Sequence, residues 1–208
     1  ALAISSRRLL NNGGSMVAAG SDETSLRIDD ALDNSGGTLS GNGDLRIETG
    51  TLLNTGGSID HAGNGRLQID TDTLQGAGSI ASNGLLHLQG GDVQLGDTRA
   101  RQIKIDAGVL DNRGGQLSSL GEQVMQLQVA GLLRNDGGTI SANGAQYIQA
   151  GALSNRGGAL NSAGTANSEL IVQQLLDNAD GSIASNAAAL LLHSGSLINI
   201  EGGISHAG

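Results

Sequence analysis

The octapeptide Leu52-Leu53-Asn54-Thr55-Gly56-Gly57-Ser58-Ile59 repeats Leu32-Asp33-Asn34-Ser35-Gly36-Gly37-Thr38-Leu39 almost position for position. Read outward from this pair, the pattern L-x-N-x-G-G-x-I fills the chain. Its second glycine recurs at Gly14, Gly37, Gly57, Gly78, Gly115, Gly138, Gly158, Gly181 and Gly202, with an apolar residue two positions later each time. The aligned Asn column is Asn11, Asn34, Asn54, Gln75, Asn112, Asn135, Asn155, Asn178 and Asn199, and Thr73 stands in the leading Leu column. Successive glycines are 20–23 residues apart, except for 37 between Gly78 and Gly115, which leaves room for one degenerate copy around Gly91–Val109. Between the glycine pairs sit alternating triplets, Leu26-Arg27-Ile28, Leu45-Arg46-Ile47, Leu67-Gln68-Ile69, Leu86-His87-Leu88, Ile103-Lys104-Ile105 and Leu127-Gln128-Val129. Apolar–polar–apolar alternation marks a half-buried strand.

A period near 21 with short strands and Gly/Asn turns fits one coil of a parallel β-helix, each coil lying about 4.8 Å above the last. The expected fold is all-β, a right-handed parallel solenoid of about ten coils. Inward Leu and Ile stack on their equivalents, Gly and Asn take the corners, and the Asn amides can bond from coil to coil. The composition agrees. Glycine is 35 of 208 residues, and Pro, Cys, Trp and Phe are absent. Pro would delete a ladder donor, and large aromatics are wide for a narrow core. An antiparallel β-sandwich is the runner-up. The run Ala187–Leu192 has high helix propensity but falls on the triplet position and reads as strand.

Net charge is −9, which argues against nucleic acid as a main partner and against adsorption to an anionic membrane. No apolar run reaches the ~18 residues of a spanning helix. His61, His87, His193 and His206 form no metal-ligand spacing. Asp29, Glu48, Asp70 and Asp106 read as an outward acidic column beside Arg27, Arg46 and Lys104. Such a column suits a solvated face better than the protected cleft of an enzyme. Gly41-Asn42-Gly43-Asp44 is a turn rather than a calcium loop. No catalytic, cofactor or metal site is expected.

Two departures from the repeat carry interest. Arg99, Arg101 and Lys104 concentrate positive charge in the degenerate coil, a candidate docking point for an anionic partner. In the outward triplet column Tyr147, Ile171 and Leu191 replace polar residues, a candidate interaction stripe.

The stretch Gly131-Leu132-Leu133-Arg134-Asn135-Asp136-Gly137-Gly138-Thr139-Ile140-Ser141-Ala142-Asn143-Gly144 resembles the repeat of the filamentous haemagglutinin family. These are large exoproteins of two-partner secretion in Gram-negative bacteria. The resemblance covers essentially the whole chain. It implies a right-handed β-helical rod outside the cell or on its surface, exported by an outer-membrane transporter and facing a receptor or glycan on a host or neighbouring cell. The family includes adhesins, haemolysins and contact-dependent growth-inhibition proteins, so the resemblance implies a structural, non-enzymatic role without choosing among them. A carbohydrate-active β-helix enzyme and a glycan-binding adhesive face are the alternatives. Neither end carries a polar cap, so residues 1–208 are expected to be one repeat segment of a longer protein.

Overall fold

The computed structural model describes residues 1–208 and contains no helix; every element is a strand. Most windings follow one plan, while in Ser79–Gln94 and Asp97–Asp111 the short and long strands run together as one. The long strand Leu45–Leu53 leads into the turn at Asn54–Gly57, then a four-residue strand Ser58–His61, a corner, and the next long strand Arg66–Gln75. Each strand pairs with its equivalents in the coils before and after it, always in parallel. The antiparallel sandwich is thereby excluded, and the chain is a β-solenoid of about ten turns.

The long strand turns a corner of its own. Ile28 pairs with Thr49 and Ala31 with Thr51, so Asp29 and Asp30 stand opposite Gly50 alone. The bulged residue bends the strand, as it does again between Val129 and Leu132. Each winding therefore presents three faces. In one coil these are Leu45–Thr49, Thr51–Leu53 and Ser58–His61.

Period two sends Leu45, Ile47, Leu52 and Ile59 inward, and stacking does the rest. Leu45, Leu67 and Leu86 lie in one column and Ile47, Ile69 and Leu88 in another, all nearly inaccessible to solvent. The inward aliphatics join into one cluster of 36 buried residues running the length of the stack. Burying each such side chain stabilises by roughly 1.5–3 kcal/mol over leaving it exposed, so the core gains with every coil added.

The two glycines of each corner play different parts. The first of each pair adopts the left-handed region, as in Gly36 (φ 63°) and Gly137 (φ 63°). The second lies against the previous coil. A Cβ on Gly138 would overlap the carbonyl oxygen of Asn112, and one on Gly158 that of Asn135. Positive φ thus belongs to the first glycine, while the second column qualifies through absence of room. Asp180 (φ 56°) and Glu201 (φ 55°) occupy the first position without glycine.

The Asn column forms a buried amide ladder. Asn34 Nδ2 donates to Asn54 Oδ1 at 2.8 Å, Asn112 to Asn135 at 2.7 Å, Asn135 to Asn155 at 2.7 Å and Asn155 to Asn178 at 2.6 Å. The ladder breaks in mid-chain. Gln75 pairs with Leu53 and Leu74 with Leu52, one residue out from the alignment of the sequence repeat. Gly76 and Leu95 therefore follow Asn54 in the Asn column, and Asn112 Oδ1 is buried with no partner. Gly96 continues the tight glycine column, close over Gly78 O. The 37-residue interval thus holds two compact windings.

Two local readings need correction. Leu190–Ile198 is strand, but Ala187–Ala189 form the corner before it. The triplets also stack differently. Leu26 pairs with Ile47 and Arg27 with Glu48, while Lys104 pairs with Gln126 and not Gln128. In both cases the register is two residues from the one that aligned the triplets.

Candidate functional site

The outward side chains of the first face form two neighbouring columns. One contains Arg46, Gln68, His87, Lys104, Gln126, Tyr147, Glu169 and Leu191; the other contains Arg27, Glu48, Asp70, Gln89, Asp106, Gln128, Gln149, Ile171 and His193. Asp29 is in neither, because it sits in the bulge. Arg27 takes the place expected for it.

Glu48, Asp70 and Asp106 on this face are matched by bases. Arg46 contacts Glu48 and lies 3.6 Å from Asp70, Arg27 lies 3.8 Å from Glu48, and Lys104 and His87 each lie 3.3 Å from Asp106. Exposed pairs of this kind contribute ~0–1 kcal/mol each; Glu169, farther along the same face, is not part of any of them. Asp111, at the Gly-Gly corner, is held below the usual carboxylate range by hydrogen bonds from Arg113.

Arg99, Arg101 and Lys104 are not brought together. Arg99 faces outward on the third face, beside a recess of about 210 Å³ lined by Asp60, His61, Asn83 and Leu120. Arg101 is at the following corner. Lys104 lies on the first face, tied to Asp106. Tyr147 and Leu191 share a column, but Glu169 separates them, and Ile171 stands in the neighbouring column between Gln149 and His193. Tyr147 and Ile171 are half-buried and Leu191 is 52% exposed, so all three face outward without forming one contiguous stripe.

His61 lies inside the wall of the third face, where neighbouring coils place Gly41 and Ser82. Its Nδ1 is 2.8 Å from Ser82 Oγ, and its Nε2 has no partner. Burial lowers the imidazole pKa below the ordinary histidine value. The Ser–His contact has the spacing of a nucleophile and base, but both side chains are almost wholly enclosed, His61 being 2% exposed. His206 stands in the same column seven coils on, so the two imidazoles never meet. No group of three or more His, Asp or Glu side chains is placed to hold a metal ion.

One feature escaped the sequence reading. On the first face, where coils Met125–Arg134 and Gln146–Ser154 stack, the paired charges stop. Gln126, Gln128, Tyr147 and Gln149 replace them. Only a count of charge per coil, rather than a search for titratable groups, would have drawn attention to these residues.

These features define a class: an unbranched parallel β-solenoid whose surface is spread along repeat columns rather than gathered in one cleft. The chain belongs to the haemagglutinin repeat family, whose model matches it at residues 1–36, 17–90, 62–124, 123–168 and 167–208. It is a filamentous-haemagglutinin-like rod. No curated protein and no solved structure matches it. No helix is long and apolar enough to cross a membrane.

Proposed function

We propose that this rod acts outside a Gram-negative cell as a spacer, holding the adhesive or toxin-delivering parts of a large exoprotein away from the surface toward a receptor or glycan on another cell. The observation that supports this reading most is the unbroken stack of about ten windings over one continuous core. At ~4.8 Å per coil such a stack reaches roughly 45–50 Å. It is stiff because each coil is bonded to both neighbours. A chain without Cys also suits export, since no disulfide can form before an outer-membrane two-partner transporter threads it. Extracellular placement follows the habit of the family.

The test is a coil-exchange experiment in the full exoprotein. Removing residues 1–208 should reduce attachment to target cells or toxin delivery, and an equal number of unrelated haemagglutinin-repeat coils should restore it. Failure of the substitute coils to restore attachment would contradict the spacer role.

A further inference from the structure

At the bend of the long strands the first face falls away into a shallow recess of about 420 Å³. It is lined by the apolar side chains of Ala107, Val129 and Ala130 and by the polar ones of Asp106, Gln128, Gln149 and Gln173. Asp106, Gln128 and Gln149 are direct neighbours in three successive coils, so their polar groups line up along the rod axis at the coil spacing. Asp106 is already engaged by Lys104 and His87. The Tyr147 hydroxyl donates to Gln149 Oε1 at 3.3 Å, which fixes that amide and leaves its NH₂ group unbound. Gln128 and Gln173 are exposed, with amides engaged by nothing else in the chain. No Asp, Glu, Lys or Arg occurs in Met125–Leu133 or Gln146–Ser154.

We infer that this recess binds a linear, neutral, hydroxyl-rich glycan lying parallel to the rod axis. A primary amide offers a donor pair and an acceptor side by side, which suits the adjacent hydroxyls of a sugar. Two such amides in register meet a polymer whose own hydroxyls repeat along its length. Sulfated or carboxylated chains meet the Asp106 carboxylate, find the nearby Lys104 already paired with it, and face a chain of net charge −9. Apolar peptide side chains find no enclosed pocket, since the recess is shallow. Tyr147 is the only aromatic residue in the protein. It lies beside Gln149, where it positions the amide. The site goes beyond the spacer reading and does not rest on it.

The experiment titrates the intact 208-residue chain by calorimetry with cellopentaose, maltopentaose and chitopentaose, and with a chondroitin sulfate oligosaccharide as the anionic probe. At least one neutral pentasaccharide should bind and the sulfated chain should not. Gln128→Ala and Gln149→Ala should each weaken binding about five- to tenfold, the loss of one or two hydrogen bonds. Tyr147→Phe should weaken it by a smaller factor through the freed amide. Arg99→Ala, on another face, should leave it unchanged. Unaltered thermal unfolding of the variants confirms that the fold survives. The inference is overturned if no neutral glycan binds, if binding ignores both Gln substitutions, or if those substitutions abolish self-association and not sugar binding. Coil exchange reads the spacer and titration reads the recess, so failure of one leaves the other standing.

Discussion

At a Gly-Gly corner one residue is chosen for a backbone angle and the next for empty space. Asp180 and Glu201 hold the first position at φ near 55°, so Gly137→Asn should cost only about 1 kcal/mol in urea unfolding. Gly138→Ala should cost about 3 kcal/mol or more, because its Cβ would displace the backbone of the preceding coil. Equal losses at the two positions would refute this division. Thr98 is a second test at this scale. It takes the place of Ile80 and Leu117 in the core column, with a buried hydroxyl that finds no partner. Thr98→Val should raise stability by about 1 kcal/mol, measured as a shift of the urea midpoint at unchanged slope. His61 sets a pH dependence. Its folded pKa lies below the unfolded value near ~6.5. Between the two values the unfolded chain binds the extra proton, so its contribution to stability is full above ~6.5 and declines as pH falls below it. His61→Ser, matching Ser82 one coil on, should flatten the melting temperature profile between pH 7.5 and 5. An unchanged profile would show that this imidazole does not govern it.

At the scale of strands and ladders, the buried amide column ties corners together across coils. Asn135 accepts from Asn112 and donates to Asn155 Oδ1, Ala159 O and Gly138 O. Asn135→Ala should therefore cost about 2–4 kcal/mol, more than a surface truncation, because it leaves several buried groups unpaired. This column was legible from sequence, as were the solenoid, the inward Leu and Ile columns and the tight second glycine. Each recurs in most of the repeats. The lateral register of the outward columns was not. A slip of one residue would turn every apolar side chain to solvent, but a slip of two preserves the alternation, so hydrophobicity cannot detect it. Corner length sets it: Ala18 and Thr24 are six residues apart while their partners Gly41 and Leu45 are four apart, and the triplets do not show this. Asp29 therefore falls in the bulge, and Ile171 pairs with Gln149 rather than Tyr147. The mid-chain break was read one residue out for a related reason: the turn through Gly76 is shorter than its neighbours, and Gln75 imitates Asn chemically.

Over the whole molecule, strand pairing joins each coil to the ones before and after it, so stability should grow by increments along the stack rather than rest on one nucleus. Parallel, two-neighbour stacking in this register underlies every face of the rod. Because the chain has no native Cys, paired cysteines can report it directly. Lys104 and Gln126 are lateral partners on the outside of adjacent coils. Their Cα atoms stand at strand spacing, about 4.8 Å, within reach of a disulfide. Lys104 and Gln128, offset by two residues, are about 8 Å apart by the same geometry, beyond the ~7 Å limit. Lys104→Cys with Gln126→Cys should oxidise readily to an intramolecular bridge and keep its β-sheet circular dichroism, while Lys104→Cys with Gln128→Cys should stay reduced. Bridging of the second pair and not the first, or of neither, would contradict the stacking on which the fold, the rod and the recess all depend.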